Sequence, residues 1–83
     1  MEKETRLAVI SIILSDRSQS QAVNELLSNY GDSIIGRLGL PYKEKGVFVM
    51  SIVMDAPNDD INALTGKLGK LENVSVKALF SKV

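Results

Sequence analysis

The sequence predicts an α+β sandwich built in the order strand, helix, strand, strand, helix, strand. Two runs dense in β-branched residues, RLAVISIIL and VFVMSIVMD, are too short for buried helices and are typical of strands. Two other segments space their apolar residues at the 3.6-residue period of a helical stripe. The chain has 83 residues, which is the size of one small domain.

The first half of the chain predicts a strand, a helix and a second strand. Arg6–Leu14 is apolar almost throughout, and the polar break SDRSQS follows it. Over residues 20–30 the apolar side chains fall on one helical face, and Gly31 directly after them is a typical helix stop. Residues 34–40 (IIGRLGL) are the second strand, which we expect Pro41 to end.

The second half of the chain predicts a strand, a helix and a last strand, and a hairpin joins it to the first half. Only the polar connection YKEKG separates the second strand from the third, residues 47–55, so these two strands are expected to pair antiparallel. Pro57 and the acids after it open a second helix. Its apolar stripe consists of Ile61, Leu64, Leu68 and Leu71. Residues 74–81 alternate apolar and polar side chains, as a half-exposed edge strand does.

Right-handed crossovers join these halves into a four-stranded antiparallel sheet with both helices on one face, the ferredoxin-like fold. In that topology the first and third strands form the central pair, and here they are the two most apolar strands. We expect residues 1–83 to form one domain, with residues 1–5 as a flexible N-terminus.

Composition narrows the function classes. Ten basic and ten acidic residues give a net charge of zero, so there is no basic surface to attract nucleic acid or an anionic membrane. With no His and no Cys, imidazole catalysis, thiolate catalysis and zinc-finger sites are excluded. The acid cluster Asp55, Asp59 and Asp60 precedes or begins a predicted helix, where acidic side chains interact favourably with the helix dipole. A Mg or Ca site with oxygen ligands is the alternative interpretation of this cluster. We therefore expect no enzyme activity, no cofactor and no metal.

The expected location is the cytoplasm. The apolar runs are far shorter than the roughly 20 residues that a membrane-spanning helix needs. The first run is preceded by mixed charges and lacks a small-residue cleavage site, so it does not match a signal peptide. The absence of Cys fits a reducing compartment.

The two central strands are apolar on both faces, although two helices can cover only one face of a sheet. A wet second face would expose a larger apolar patch than most soluble monomers carry. We therefore expect a homo-oligomer, a dimer or a tetramer, with this face or a sheet edge buried against another copy. The predicted interface residues are Phe48, Met50 and Met54. The alternative is that helix packing and sheet twist hide this surface.

Two polar segments are candidate ligand sites. Asp16, Arg17 and Ser18 follow the first strand and could engage an anion or a zwitterion through charge-assisted hydrogen bonds. The alternative interpretation is a capped helix start with a solvated arginine. Arg37 belongs to a second basic patch, together with Tyr42, Lys43 and Lys45. A polar hairpin tip is the alternative interpretation of that patch.

Three segments carry a family resemblance: IIGRLGLPYKEKG (34–46), DAPNDDINALTGKLGKL (55–71) and VSVKALFSK (74–82). Together they resemble the iron-only hydrogenase system regulators over nearly the whole chain. The resemblance implies an ACT-like fold, similar to the C-terminal domain of the nickel-responsive repressor, and an oligomer with a regulatory role. It carries over no catalytic residues. This chain has neither the His and Cys that bind nickel in that repressor nor the loop glycine typical of amino-acid-binding ACT domains.

Two functions follow as hypotheses. The first is a non-enzymatic regulatory module of the iron-only hydrogenase system, which acts through self-association and through binding of a ligand or a hydrogenase-system protein. The alternative is an ACT-like small-molecule sensor that binds an amino acid or a small anion at a subunit interface.

Overall fold

A computed structural model describes residues 4–82. Its strands and helices are β1 (Arg6–Leu14), α1 (Ser20–Ser28), β2 (Ile34–Tyr42), β3 (Val47–Ala56), α2 (Asn58–Gly69) and β4 (Val74–Phe80). The sheet order is β2-β3-β1-β4, and every neighbouring pair is antiparallel. The ferredoxin-like prediction is confirmed, with β1 and β3 central and β4 at an edge. Of the predicted flexible N-terminus at residues 1–5, residues 1–3 lie outside the described residues.

Strand β2 and helix α1 end two residues away from their predicted ends, and β3 and β4 end one residue away, at Ala56 and Phe80. Strand β2 continues through Pro41, which pairs with Phe48, and ends at Tyr42. An edge strand tolerates proline because one side of its backbone has no ladder to complete. Helix α1 ends at Ser28 rather than at residue 30. Its last turn tightens there, since the Tyr30 amide donates to the Leu27 carbonyl at 3.0 Å instead of continuing the α-helical pattern.

The core lies between one face of the sheet and the two helices. Alternate residues of β1 and β3 point into it, and the apolar stripes of α1 and α2 cover them. The buried residues are Ala8, Ile10, Ile12, Leu14, Val23, Leu27, Met50, Ile52, Met54, Ala56, Ile61, Leu64 and Leu68. Among the described residues, no polar or charged side chain is buried in this core.

The predicted interface residues of β3 need a correction. Met50 and Met54 are only 3% and 0% exposed, because both point into the core beneath the helices. Phe48 lies on the same face and packs, partly buried, against the core. The face of β3 that the helices leave open carries Val49 and Val53 instead, since successive residues of a strand point to opposite faces. The prediction of an apolar second face stands, but Met50 and Met54 are not part of it.

The helix layer does not extend over β2. No residue of this strand is buried, and even its helix-facing residues Arg37, Gly39 and Pro41 are exposed. Helix α2 packs over β4 and β1, and α1 packs beside α2. Because no helix covers this side of β2, there is space between the strand and α1. No helix within residues 4–82 is both long and apolar enough to cross a membrane.

Candidate functional site

Two neighbouring clefts lie where the helices leave β2 uncovered, and Phe48 lines both of them. The first, called here the Arg17 cleft, has a volume of about 230 Å³. It is lined by Arg17, Pro41, Tyr42, Lys43, Gly46, Val47 and Phe48. The second, the Arg37 cleft, has a volume of about 190 Å³. It is lined by Leu14, Ser20, Asn24, Arg37, Phe48 and Met50.

The Phe48 ring lies over Gly39 of the adjacent strand. A Cβ atom built on Gly39 would be 3.0 Å from Cζ and 3.1 Å from Cε1 of that ring. These distances are shorter than ordinary van der Waals contacts. Glycine, which has no Cβ atom, therefore leaves room for the ring to pack on β2. Gly39 therefore sets the position of the aromatic side chain that the two clefts share.

Relative to the same change at Gly36, replacing Gly39 by alanine is expected to lower the free energy of unfolding by about 1 kcal/mol, because the methyl group added at Gly39 overpacks Phe48. The displaced ring should also change the shape of both clefts. Urea denaturation measures the first effect, and the chemical shifts of the Phe48 ring protons report the second. Gly36→Ala is the matched control on the same strand, because nothing lies within 4 Å of its added Cβ. Equal effects of the two substitutions would contradict this assignment.

The lining of the two clefts is basic. Arg17, Lys43 and Arg37 contribute three cations, and no acidic side chain lines either cleft. The Arg37 guanidinium donates a hydrogen bond from Nη2 to Oδ1 of Asn24 at 3.1 Å, which orients it beside α1. Arg17 and Lys43 make no side-chain hydrogen bond, ion pair or ring contact with the rest of the chain in the described structure. Two of the three cations are therefore available to an external anion.

Asp16 and Ser18 lie beside the clefts but do not line them. The Ser18 amide donates to Oδ1 of Asp16 at 2.9 Å, and this bond, the largest of several causes, lowers the pKa of the Asp16 carboxyl below its ordinary value. The pair is thus the N-terminal cap of the short turn Arg17–Gln19. Of the four predicted ligand residues, the structure brings Arg17 and Arg37 to neighbouring clefts and uses the other two as a cap.

A second contact, which the sequence interpretation missed, holds the β1–α1 connection. Ser15 donates from its amide and from Oγ to the Asn73 carbonyl, at 2.9 and 3.2 Å. Asn73 adopts a φ of 63° in the turn before β4, a conformation that favours Asn among non-glycine residues. An Asn directly before a strand pattern was the available signal, but its partner is 58 residues away in sequence.

The sheet face opposite the helices is apolar and open. The strand register brings Leu7, Val9 and Ile13 of β1 alongside the β3 residues Val49 and Val53. Leu38, Leu40 and Leu79 extend this surface onto the two edge strands. Leu38 and Leu79 are 65% and 72% exposed. This set of eight residues is called here the open face.

The acidic residues that the structure describes do not form a metal site. Within residues 4–82, no group of three or more His, Cys, Asp or Glu side chains is arranged to hold a metal ion. Asp59 and Asp60 lie in the first turn of α2, as the helix-dipole interpretation predicts.

Comparison with known proteins identifies the family. Residues 6–78 match the TM1266-like family, described as "Iron-only hydrogenase system regulator, putative". Protein TM1266 of Thermotoga maritima has a similar structure, with a TM-score of 0.90 and 38% sequence identity. That match covers 95% of this chain and 100% of the other. No curated protein matches the chain.

More distant solved structures share the fold alone. The ACT domain from GTP pyrophosphokinase of Chlorobium tepidum has a TM-score of 0.72 at 23% identity, over 90% of this chain and 86% of the domain. CPII, a nitrogen regulatory PII-like protein from Thiomonas intermedia solved with ADP, AMP and acetate, has a TM-score of 0.51 at 17% identity. That match covers 100% of this chain and 94% of CPII. With an ACT-like fold and a family match over nearly its whole length, the chain belongs to the TM1266-like family of iron-only hydrogenase system regulators.

Proposed function

We propose that this protein is a non-enzymatic regulatory module of the iron-only hydrogenase system that works as a homo-oligomer. Two copies meet through their open faces, and the assembled form presents the surface that binds a ligand or a hydrogenase-system protein in the cytoplasm. The observation that carries the proposal is the open face itself. The family description supports the regulatory role, and the absence of His and Cys supports a role without catalysis.

The size and chemistry of the open face favour a second copy as its partner. It carries eight aliphatic side chains, and the sheet residues interspersed with them include Ser11, Ser51 and Lys77. Burial of a large apolar side chain contributes about 1.5–3 kcal/mol, so several of them together can offset the roughly 4–15 kcal/mol that association costs. A flat face of aliphatic side chains is also complementary to itself, as a two-fold symmetric interface requires.

Leu38→Glu is the test of this proposal. A carboxylate at the exposed position on β2 would be desolvated without a partner on association, so the dissociation constant of the oligomer should rise at least tenfold. Sedimentation equilibrium of the full chain measures it. The wild type is expected at a multiple of 9.0 kDa, and the variant should dissociate to monomers at micromolar concentration.

Ala63→Glu is the matched control, because it adds the same charge at an exposed position of α2, on the opposite side of the molecule. Circular dichroism shows whether both variants keep the fold. A wild-type monomer at micromolar concentration contradicts the proposal, and so does equal weakening by the two substitutions.

A small-molecule sensor is the second candidate function. The observation that favours it is the pair of basic clefts beside Phe48. In this version, an amino acid or a small anion bound there shifts the equilibrium between assembled and free copies. CPII provides a precedent, because a protein of this fold was solved with acetate and adenine nucleotides bound.

A further inference from the structure

We propose that the Arg17 cleft binds a small anion that carries a planar apolar group. Arg17 and Lys43 hold the anionic group, and Phe48 contacts the planar group. This inference rests on the second candidate function, and it names the ligand class for that site.

The charge distribution specifies an anion. Arg17 and Lys43 line the same cleft and have no partner among the described side chains. The acids nearest to them in sequence are engaged elsewhere: Asp16 accepts the Ser18 amide, and Glu44 accepts the Tyr42 hydroxyl at 3.0 Å. In a chain of zero net charge, two unpaired cations on one cleft are a local excess. Charge-assisted hydrogen bonds to a carboxylate or phosphate would satisfy both of them.

The apolar part of the lining specifies the planar group. Pro41, Val47 and Phe48 line the same cleft as the two cations and give it an apolar wall. Because the Phe48 ring already packs over Gly39, little side-chain freedom is lost when a ligand packs on it. Aromatic side chains pair with flat rings in offset or edge-to-face arrangements. A flat ligand therefore uses this surface better than a flexible aliphatic chain does.

The volume of the cleft limits the ligand. About 230 Å³ is below the roughly 300–1,000 Å³ of pockets for drug-sized molecules. One ring with one anionic substituent fits this space. A longer ligand would reach past Phe48 into the Arg37 cleft, where the third cation lies.

The experiment is an NMR titration of the full chain with phenyl phosphate, the smallest probe that combines a ring with an anion. Inorganic phosphate and phenol are the comparison ligands, because the first carries only the anionic group and the second only the ring. Phenyl phosphate should cause saturable chemical-shift changes at residues 17, 41–43 and 46–48. It should bind at least tenfold more tightly than inorganic phosphate or phenol. Arg17→Gln should weaken the binding at least tenfold. Lys70→Gln, which removes an exposed cation outside both clefts, should change it by less than twofold.

The inference is overturned if phenyl phosphate causes no saturable shifts in the cleft or if the shifts map to the open face. It is also overturned if Arg17→Gln and Lys70→Gln weaken the binding equally. Sedimentation of the same samples, with and without phenyl phosphate, tests the sensor function separately. Binding in the cleft without a change in assembly supports the site and contradicts the sensor function.

Discussion

Met54→Ala is expected to lower the free energy of unfolding by about 2–5 kcal/mol, because it leaves a cavity in the closed core. Met54 is fully buried on the helix-covered face of β3. Val53→Ala, at the neighbouring position on the open face, should cost less than half as much, since that side chain is already partly exposed. Urea denaturation with a common slope for both variants measures the difference.

The same pair separates the two faces of the sheet in the association assay. Val53→Ala removes contact area from the open face and should weaken self-association. Met54→Ala should leave the dissociation constant unchanged under conditions in which the variant is folded. Comparable losses of stability from the two substitutions would contradict the assignment of these residues to opposite faces.

Leu64→Asn is expected to unfold most of the protein at 25 °C. Leu64 lies at the centre of the α2 stripe and has no exposed surface. The substitution loses about 1.5–3 kcal/mol of apolar burial, and the unpaired amide adds about 1–3 kcal/mol. A core of this size supplies only about 3–5 kcal/mol by itself, so little stability would remain.

Ala63→Asn is the control for that substitution, because it places the same amide one position earlier on the exposed surface of α2. Its cost should stay within the roughly 0.7 kcal/mol that separates Ala from ordinary residues in helix propensity. Far-ultraviolet circular dichroism at equal concentrations measures the folded fraction. A Leu64→Asn variant as stable as this control would show that α2 does not close the core.

Much of the fold could be predicted from local patterns. The period of two in β4 and the 3.6-residue stripe of α2 reflect burial on one face, and both elements lie where those patterns place them. The element order, with the handedness of crossovers, then leaves few topologies. The sequence predicts that Pro41 ends β2, but the strand continues through it. Proline is tolerated there because β2 is an edge strand, and the residues around Pro41 do not show that position.

The face of β3 could not be predicted in the same way. Val49 and Val53 are as apolar as Met50 and Met54, so alternation carries no information about which set lies under the helices. The choice depends on where α1 and α2 pack and on the register with β1, in which a shift of one residue would exchange the two faces. The sequence prediction places Met50 and Met54 at the interface, but their flexible side chains fill the core instead.

The candidate site shows the same division. The sequence predicts Arg17 and Arg37 as ligand residues because each belongs to a short polar or basic segment that could bind an anion, which the local sequence shows. That both line clefts shared with Phe48 depends on the β2–β3 register, which brings Gly39 next to the Phe48 ring. Residue type and periodicity were sufficient for the elements and their order, because these depend on neighbours along the chain, and composition was sufficient to exclude imidazole and thiol chemistry. Packing between elements distant in sequence selected the buried face, the open face and the partners of each cleft.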